Sequence, residues 1–217
     1  MENTAFQRVA RERVVPVITL TDAAYAVPLA QALAEGGIHL LELPLRTPAA
    51  LEAIRRVRAE VPGTVVGAGT VLTPAQVQEA IEVGAQFGVA PGLNESVVRA
   101  AGDAGLPFVP GVITASEIEH ALSLDCRLLK FFPAEPSGGV QLLKNVAAPF
   151  LHTGVRFIPL GGLTPERAGD YLSLAAVAAI GGSWLADNET MARGDWATVT
   201  TRARQVMELA TALTLCR

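Results

Sequence analysis

Short runs of β-branched and aliphatic residues alternate with longer Ala-rich segments along nearly the whole chain, and this alternation is the strongest constraint on its fold. Strands buried on both faces read as continuous apolar runs, and parallel neighbours need a crossover helix between them. Strands are expected near Val14-Leu20, Ile38-Leu43, Thr64-Ala68, Phe87-Ala90, Phe108-Pro110, Arg127-Phe132, Arg156-Pro159 and Val177-Ile180. Helices are expected at roughly 22–35, 48–60, 74–83, 94–104, 115–123, 138–147, 165–173 and 196–213. Thr47-Pro48, Thr73-Pro74 and Thr164-Pro165 each place a hydroxyl cap before a proline suited to a first helical position. Gly36-Gly37, Gly84 and Gly105 read as helix stops.

Eight strands with eight following helices and right-handed crossovers predict an α/β fold, a (β/α)8 TIM barrel. At 217 residues the chain is short for one, so its loops must be tight. Residues 1–11 read as an additional N-terminal helix capping the bottom, and 1–217 as a single domain. The alternative, an open doubly wound sheet, lacks the Gly-x-Gly-x-x-Gly expected after its first strand.

Half the residues are apolar and only 18% are charged, so part of the surface is expected to be covered by other subunits. A net charge of −4 without a Lys/Arg block argues against a nucleic-acid partner. Cys126 and Cys216 read as reduced thiols. The opening residues lack a basic segment followed by an apolar core, and no apolar stretch reaches 18 residues; the expectation is a cytoplasmic protein with no membrane association.

Two charges break this apolar background. Lys130 stands in Leu128-Leu129-Lys130-Phe131-Phe132-Pro133, and Glu42 in Leu40-Leu41-Glu42-Leu43-Pro44-Leu45. An amine without a route to water either snorkels past its neighbours or serves chemistry. A buried charge must be paired, so two isolated charges in separate strands suggest one shared site. Lys130 shares strand parity with Phe132, and Glu42 with Leu40; if both sets face inward, amine and carboxylate converge over the barrel axis. A core ion pair and a strand-capping glutamate remain the plainer readings.

Barrel chemistry belongs where strands end and loops begin. Gly161-Gly162 and Gly181-Gly182-Ser183 fall there, after strands seven and eight, where unobstructed amides can wrap a phosphate; tight turns also use glycine. Arg46 can clamp a carboxylate with its planar fork, or stand exposed before a helix. Thr70, after Gly69, is a further hydroxyl candidate or a plain helix-approach residue. His39, His120 and His152 have no ligand spacing, so neither a histidine metal centre nor a Ser-His-Asp triad is expected. Trp184 and Trp196 read as packing residues.

With these residues in hand, the chain closely resembles the KDPG aldolase family, class I lyases that cleave 2-keto-3-deoxy-6-phosphogluconate and include 4-hydroxy-2-oxoglutarate aldolases. The likeness runs from about Val14 to Leu185. It is carried by Glu42-Leu43-Pro44-Leu45-Arg46-Thr47, Val66-Gly67-Ala68-Gly69-Thr70-Val71-Leu72, Ala90-Pro91-Gly92, Leu129-Lys130-Phe131-Phe132-Pro133-Ala134-Glu135 and Ile180-Gly181-Gly182-Ser183-Trp184-Leu185. The resemblance implies Lys130 as Schiff-base lysine, Glu42 as proton-transferring group, and Arg46 and Thr70 on the pyruvate carboxylate. It implies Pro91 and Phe132 as pocket walls, and Gly161, Gly162, Gly182 and Ser183 on the distal phosphate. It further implies pyruvate and glyceraldehyde 3-phosphate as products, a homotrimer, a place in the Entner-Doudoroff pathway, and no metal or organic cofactor.

One position departs from the pattern. Where 6-phosphogluconate-type members commonly carry a threonine before the strand-seven glycine pair, this chain has Leu160, which cannot donate to the hydroxyl at the cleaved carbon. Relatives acting on the galactonate epimer resemble it there, so the C4 epimer, 2-keto-3-deoxy-6-phosphogalactonate, is an alternative substrate. An aldolase for unphosphorylated 4-hydroxy-2-oxoglutarate, a decarboxylase and a non-catalytic phosphate-ligand binding barrel are the other readings.

Overall fold

A computed structural model describes residues 4–215. Residues 1–3 of the expected capping helix and Cys216 lie outside them. Helix α1 spans Thr4–Glu12, one residue beyond the expected end.

Eight strands follow. They are β1 (Val14–Pro16), β2 (Leu40–Pro44), β3 (Val65–Gly69), β4 (Gly88–Val89), β5, β6 (Leu128–Phe131), β7 (Arg156–Pro159) and β8 (Ile180–Gly182). Strand β5 comes in two pieces, Phe108–Val109 against β4 and Gly111–Val112 against β6. Pro110 divides them because it has no N–H to give, though its carbonyl still accepts from Lys130 N at 2.9 Å.

Every ladder is parallel, and the last strand pairs back on the first, Val14 opposite Ile180 and Pro16 opposite Gly182. Single bridges, Val17 to Glu42 and Phe157 to Val177, join β1 to β2 and β7 to the approach of β8. The ring is the alternating barrel predicted from the apolar runs. Among the described residues, no helix is long and apolar enough to cross a membrane.

Side-chain alternation sorts the core into two layers. Leu41, Leu43, Leu129 and Phe131 point outward and pack under the helices, while Leu40, Phe87, Val109 and Ile158 fill the barrel. Gly67 makes room for that filling, since a Cβ there would overlap the Phe87 ring. Ala5, Phe6 and Val9 of α1 pack into the same interior cluster and close the bottom. Each fully buried aliphatic side chain contributes roughly 1.5–3 kcal/mol.

The helices include α2 (Ala26–Glu35), α3 (Ala50–Glu60), α4 (Pro74–Glu82), α5 (Glu95–Asp103) and α6 (Ala115–Ser123). Beyond β6 come the one-turn α7 (Ala134–Ser137), α8 (Gly139–Ala147), α9 (Pro165–Leu172), α10 (Asn188–Ala192) and α11 (Trp196–Leu215). Thr73 caps α4 as expected, accepting from Gln76 N at 3.2 Å.

Some local expectations need correction. Thr47-Pro48 does not start a helix: α3 begins at Ala50, and the Thr47 hydroxyl instead donates to the Leu20 carbonyl, tying together the loops after β1 and β2. Thr164 occupies the cap position of α9 but makes no capping bond. The first ladder stops at Pro16 rather than Leu20, leaving only the bridge at Val17. The last runs on into Gly181 and Gly182, where pairing with β1 overrides the weak strand preference of glycine.

Candidate active site

Strands β2 and β6 stand on opposite sides of the barrel, and each carries one ion to the same place. Lys130 is 5% exposed and Glu42 only 1%, with Nζ 3.6 Å from Oε1. Parity delivers them there: Leu40 and Glu42 share the inner face of β2, while Lys130 and Phe132 share that of β6. The ammonium also lies 5.1 Å from the centroid of the Phe132 ring. Glu42 Oε1 is buried without a hydrogen-bond partner among the described residues, an exception to the usual pairing of buried polar atoms.

The neighbouring backbone is shaped around this pair. A Cβ on Gly69 would overlap Glu42 Oε1 and stand 2.9 Å from Cδ, so only glycine leaves the carboxylate its position. Thr70 follows with φ of 55°, a left-handed conformation that strains a β-branched residue by about 1–3 kcal/mol. Strain of this kind persists where surrounding bonds enforce it. Here Leu45 N donates to Gly69 O at 2.8 Å and Val71 N to Val89 O at 3.0 Å, fixing both sides of the residue.

Lys130 and Glu42 lie in the floor of an open cavity of about 480 Å3 at the C-terminal ends of the strands. Arg46, Thr70 and Pro91 line it on the side of β2 to β4, with the Arg46 guanidinium bonded to the Thr19 hydroxyl. Phe132 and Leu160 line the opposite wall. Gly161, Gly162, Gly182 and Ser183 complete the rim, the first two at φ of 94° and 79°. The candidates read from the sequence therefore share one cavity.

Four further residues line it that the sequence reading does not single out for the site: Val17, Pro44, Leu163 and Thr164. Pro44 is accessible to parity, because it continues the Leu40, Glu42 series. Thr164 reads as a cap, and only the folded loop shows it turned to the cavity.

A larger groove of about 580 Å3 runs along α11 beside Trp184 and Arg202. It contains no nucleophile paired with an acid, so size alone does not make it the reactive site. Trp184 packs over Gly182, and Trp196 lies 6.2 Å from Tyr25 by ring centroids, which makes both packing residues. His39 pairs with Glu12, and His120 with Glu95 on a different face.

The family model for KDPG and KHG aldolase matches residues 6–202. The KHG/KDPG aldolase of Escherichia coli K12 is 46% identical over 195 residues, covering 90% of this chain and 91% of that protein. A KDPG aldolase structure from Legionella pneumophila, with pyruvate captured as a covalent carbinolamine intermediate, aligns with a TM-score of 0.90 at 35% identity. That alignment spans 95% of this chain and 99% of the other. The Zymomonas mobilis KDPG aldolase, solved with 3-phosphoglycerate, aligns with a TM-score of 0.86 at 40% identity, over 94% and 95% of the two chains.

Proposed function

We infer the function from one premise: the chain belongs to the KDPG and KHG aldolase family. It is a class I, lysine-dependent aldolase that cleaves 2-keto-3-deoxy-6-phosphogluconate to pyruvate and glyceraldehyde 3-phosphate. The observation carrying the residue assignments is the buried Lys130 amine 3.6 Å from the Glu42 carboxylate at the base of an open cavity.

Breaking a carbon–carbon bond beside a ketone requires an acceptor for two electrons, and a protonated imine accepts them far better than a carbonyl. Lys130 attacks C2 in its neutral form, and Glu42 is close enough to take the proton an ammonium must shed. The resulting carbinolamine loses water with a proton supplied from Glu42. Glu42 then removes the C4 hydroxyl proton, the C3–C4 bond breaks, and its electrons enter the imine to give an enamine. Glyceraldehyde 3-phosphate leaves, the enamine is protonated at C3 with the help of Glu42, and water releases pyruvate from Lys130.

Arg46 and Thr70 hold the pyruvate carboxylate, and Pro91 and Phe132 wall the ketone. At the far rim, Gly161, Gly162, Gly182 and Ser183 hold the phosphate with amides that no side chain obstructs. We assign the chain to the cytoplasm and to the Entner-Doudoroff pathway as a homotrimer of single-domain barrels. A low charged fraction of 18% supports association, as do Leu72 and Leu151, each nearly half exposed.

Leu160 supports a second substrate. It lines the wall before the glycine pair, and its methyl groups offer no donor to a C4 hydroxyl of either configuration, a lost pairing that can change discrimination by about 1–3 kcal/mol. A pyruvate-release assay over both C4 epimers and unphosphorylated 4-hydroxy-2-oxoglutarate tests this. Replacing Leu160→Thr should shift the epimer ratio about tenfold toward the gluconate configuration. An unchanged ratio contradicts the role of Leu160, and indifference to phosphate contradicts the role of the glycines.

A further inference from the structure

We propose that a hydrogen bond outside the cavity, from Tyr171 to Glu135, sets the shape of the 161–162 loop and so selects for phosphorylated substrate. The inference rests on the reading of that loop as the phosphate subsite.

Tyr171 lies in α9 with its ring fully buried, and its hydroxyl donates to Glu135 Oε1 at 2.6 Å. Glu135 belongs to α7, the single turn that follows the strand bearing Lys130. That turn is strapped to the glycine loop by its backbone, with Ala134 N donating to Leu160 O at 2.7 Å and Glu135 N to Gly161 O at 3.0 Å. The Glu135 side chain also lies close against the loop: a Cβ on Gly162 would stand 2.9 Å from the Glu135 Cβ.

The loop is thus held at both ends. Its start is fixed by the bonds to Ala134 and Glu135, and the helix that continues it returns through Tyr171 to the same turn. No bond of this circuit involves Lys130, whose backbone N–H is held separately by Pro110 O at 2.9 Å. Loosening the circuit should therefore disturb the rim and spare the chemistry at C2.

Arg167 stands 3.9 Å from Glu135 Oε1, so the carboxylate packed against the loop has a counter-charge. Burial, reinforced by the bond to Glu135, raises the pKa of the Tyr171 phenol well above its ordinary value, which keeps it a donor across the working pH range. Tyr171 and Glu135 do not line the cavity, so they are positioning residues rather than ligands.

The test uses the full chain carrying Tyr171→Phe, a change that removes the hydroxyl and keeps the packed ring. KM for the 6-phosphorylated keto acid should rise about tenfold, with kcat within about twofold and turnover of unphosphorylated 4-hydroxy-2-oxoglutarate unaltered. Glu135→Ala should reproduce the effect, whereas Glu135→Gln, which keeps an acceptor for the phenol, should restore most of the parental KM. An equal loss on both substrates, no loss on either, or no rescue by Glu135→Gln would overturn the proposal. A parent enzyme that ignores phosphate would instead remove the subsite reading on which the proposal stands.

Discussion

Each half of the proposed catalytic pair depends on a small number of atoms around it, and Gly69 is the clearest case. Replacing Gly69→Ala introduces a methyl group where Glu42 Oε1 now lies, and the carboxylate must turn away from Lys130. General acid–base assistance contributes about 10^2–10^4-fold, so kcat should fall at least about a hundredfold while the melting temperature moves by only a few degrees. Unaltered turnover would mean that Glu42 does not act from its present position. Lys130 and Glu42 are legible in the sequence because an ion in an apolar strand must be paired, and two of them in separate strands point to one place. Val17 and Thr164 are not, because neither an apolar run such as Val14-Val15-Pro16-Val17 nor a Thr-Pro pair states which way a loop will turn. Their place depends on how β1 and α9 are set by pairing across the barrel.

Local signals succeed where they act locally. Thr73 caps α4 as its Thr-Pro pair implies, and Thr164 shares that pair without the bond. Thr73→Ala should therefore destabilise the protein by about 1 kcal/mol in urea unfolding, and Thr164→Ala by clearly less. Equal losses would show that the cap geometry does not decide the difference. Thr47-Pro48 misleads for a tertiary reason, since its hydroxyl is drawn to the Leu20 carbonyl of another loop. The strands are legible as buried apolar runs. Their ends are less so, because Gly181 and Gly182 join the ladder through their partner strand rather than through any preference of their own.

Closure of the barrel places a carboxylate at its base as well as at its mouth. Glu12 is 4% exposed where α1 meets β2, accepting from His39 N at 2.9 Å with Arg8 3.3 Å away. Burial raises its pKa above the usual 4.5, more than the His39 amide and Arg8 lower it. The folded state therefore holds this proton more tightly than the unfolded chain. Its stabilising contribution is complete below pH 4.5 and is lost as pH rises through the folded value. Unfolding free energies of the parent and Glu12→Gln, compared upward from that pH, should show the parent losing ground; a parent that gained ground would reverse the sign.

At this same scale the eightfold alternation is enough to predict the closed ring, and the ring is what brings residues from β2 and β6 into contact. The most direct check on the consequence is covalent. Pyruvate and borohydride should leave one reduced adduct, located by peptide mass mapping at Lys130, and none in Lys130→Ala. An adduct on another lysine, or one that persists in Lys130→Ala, would contradict the account.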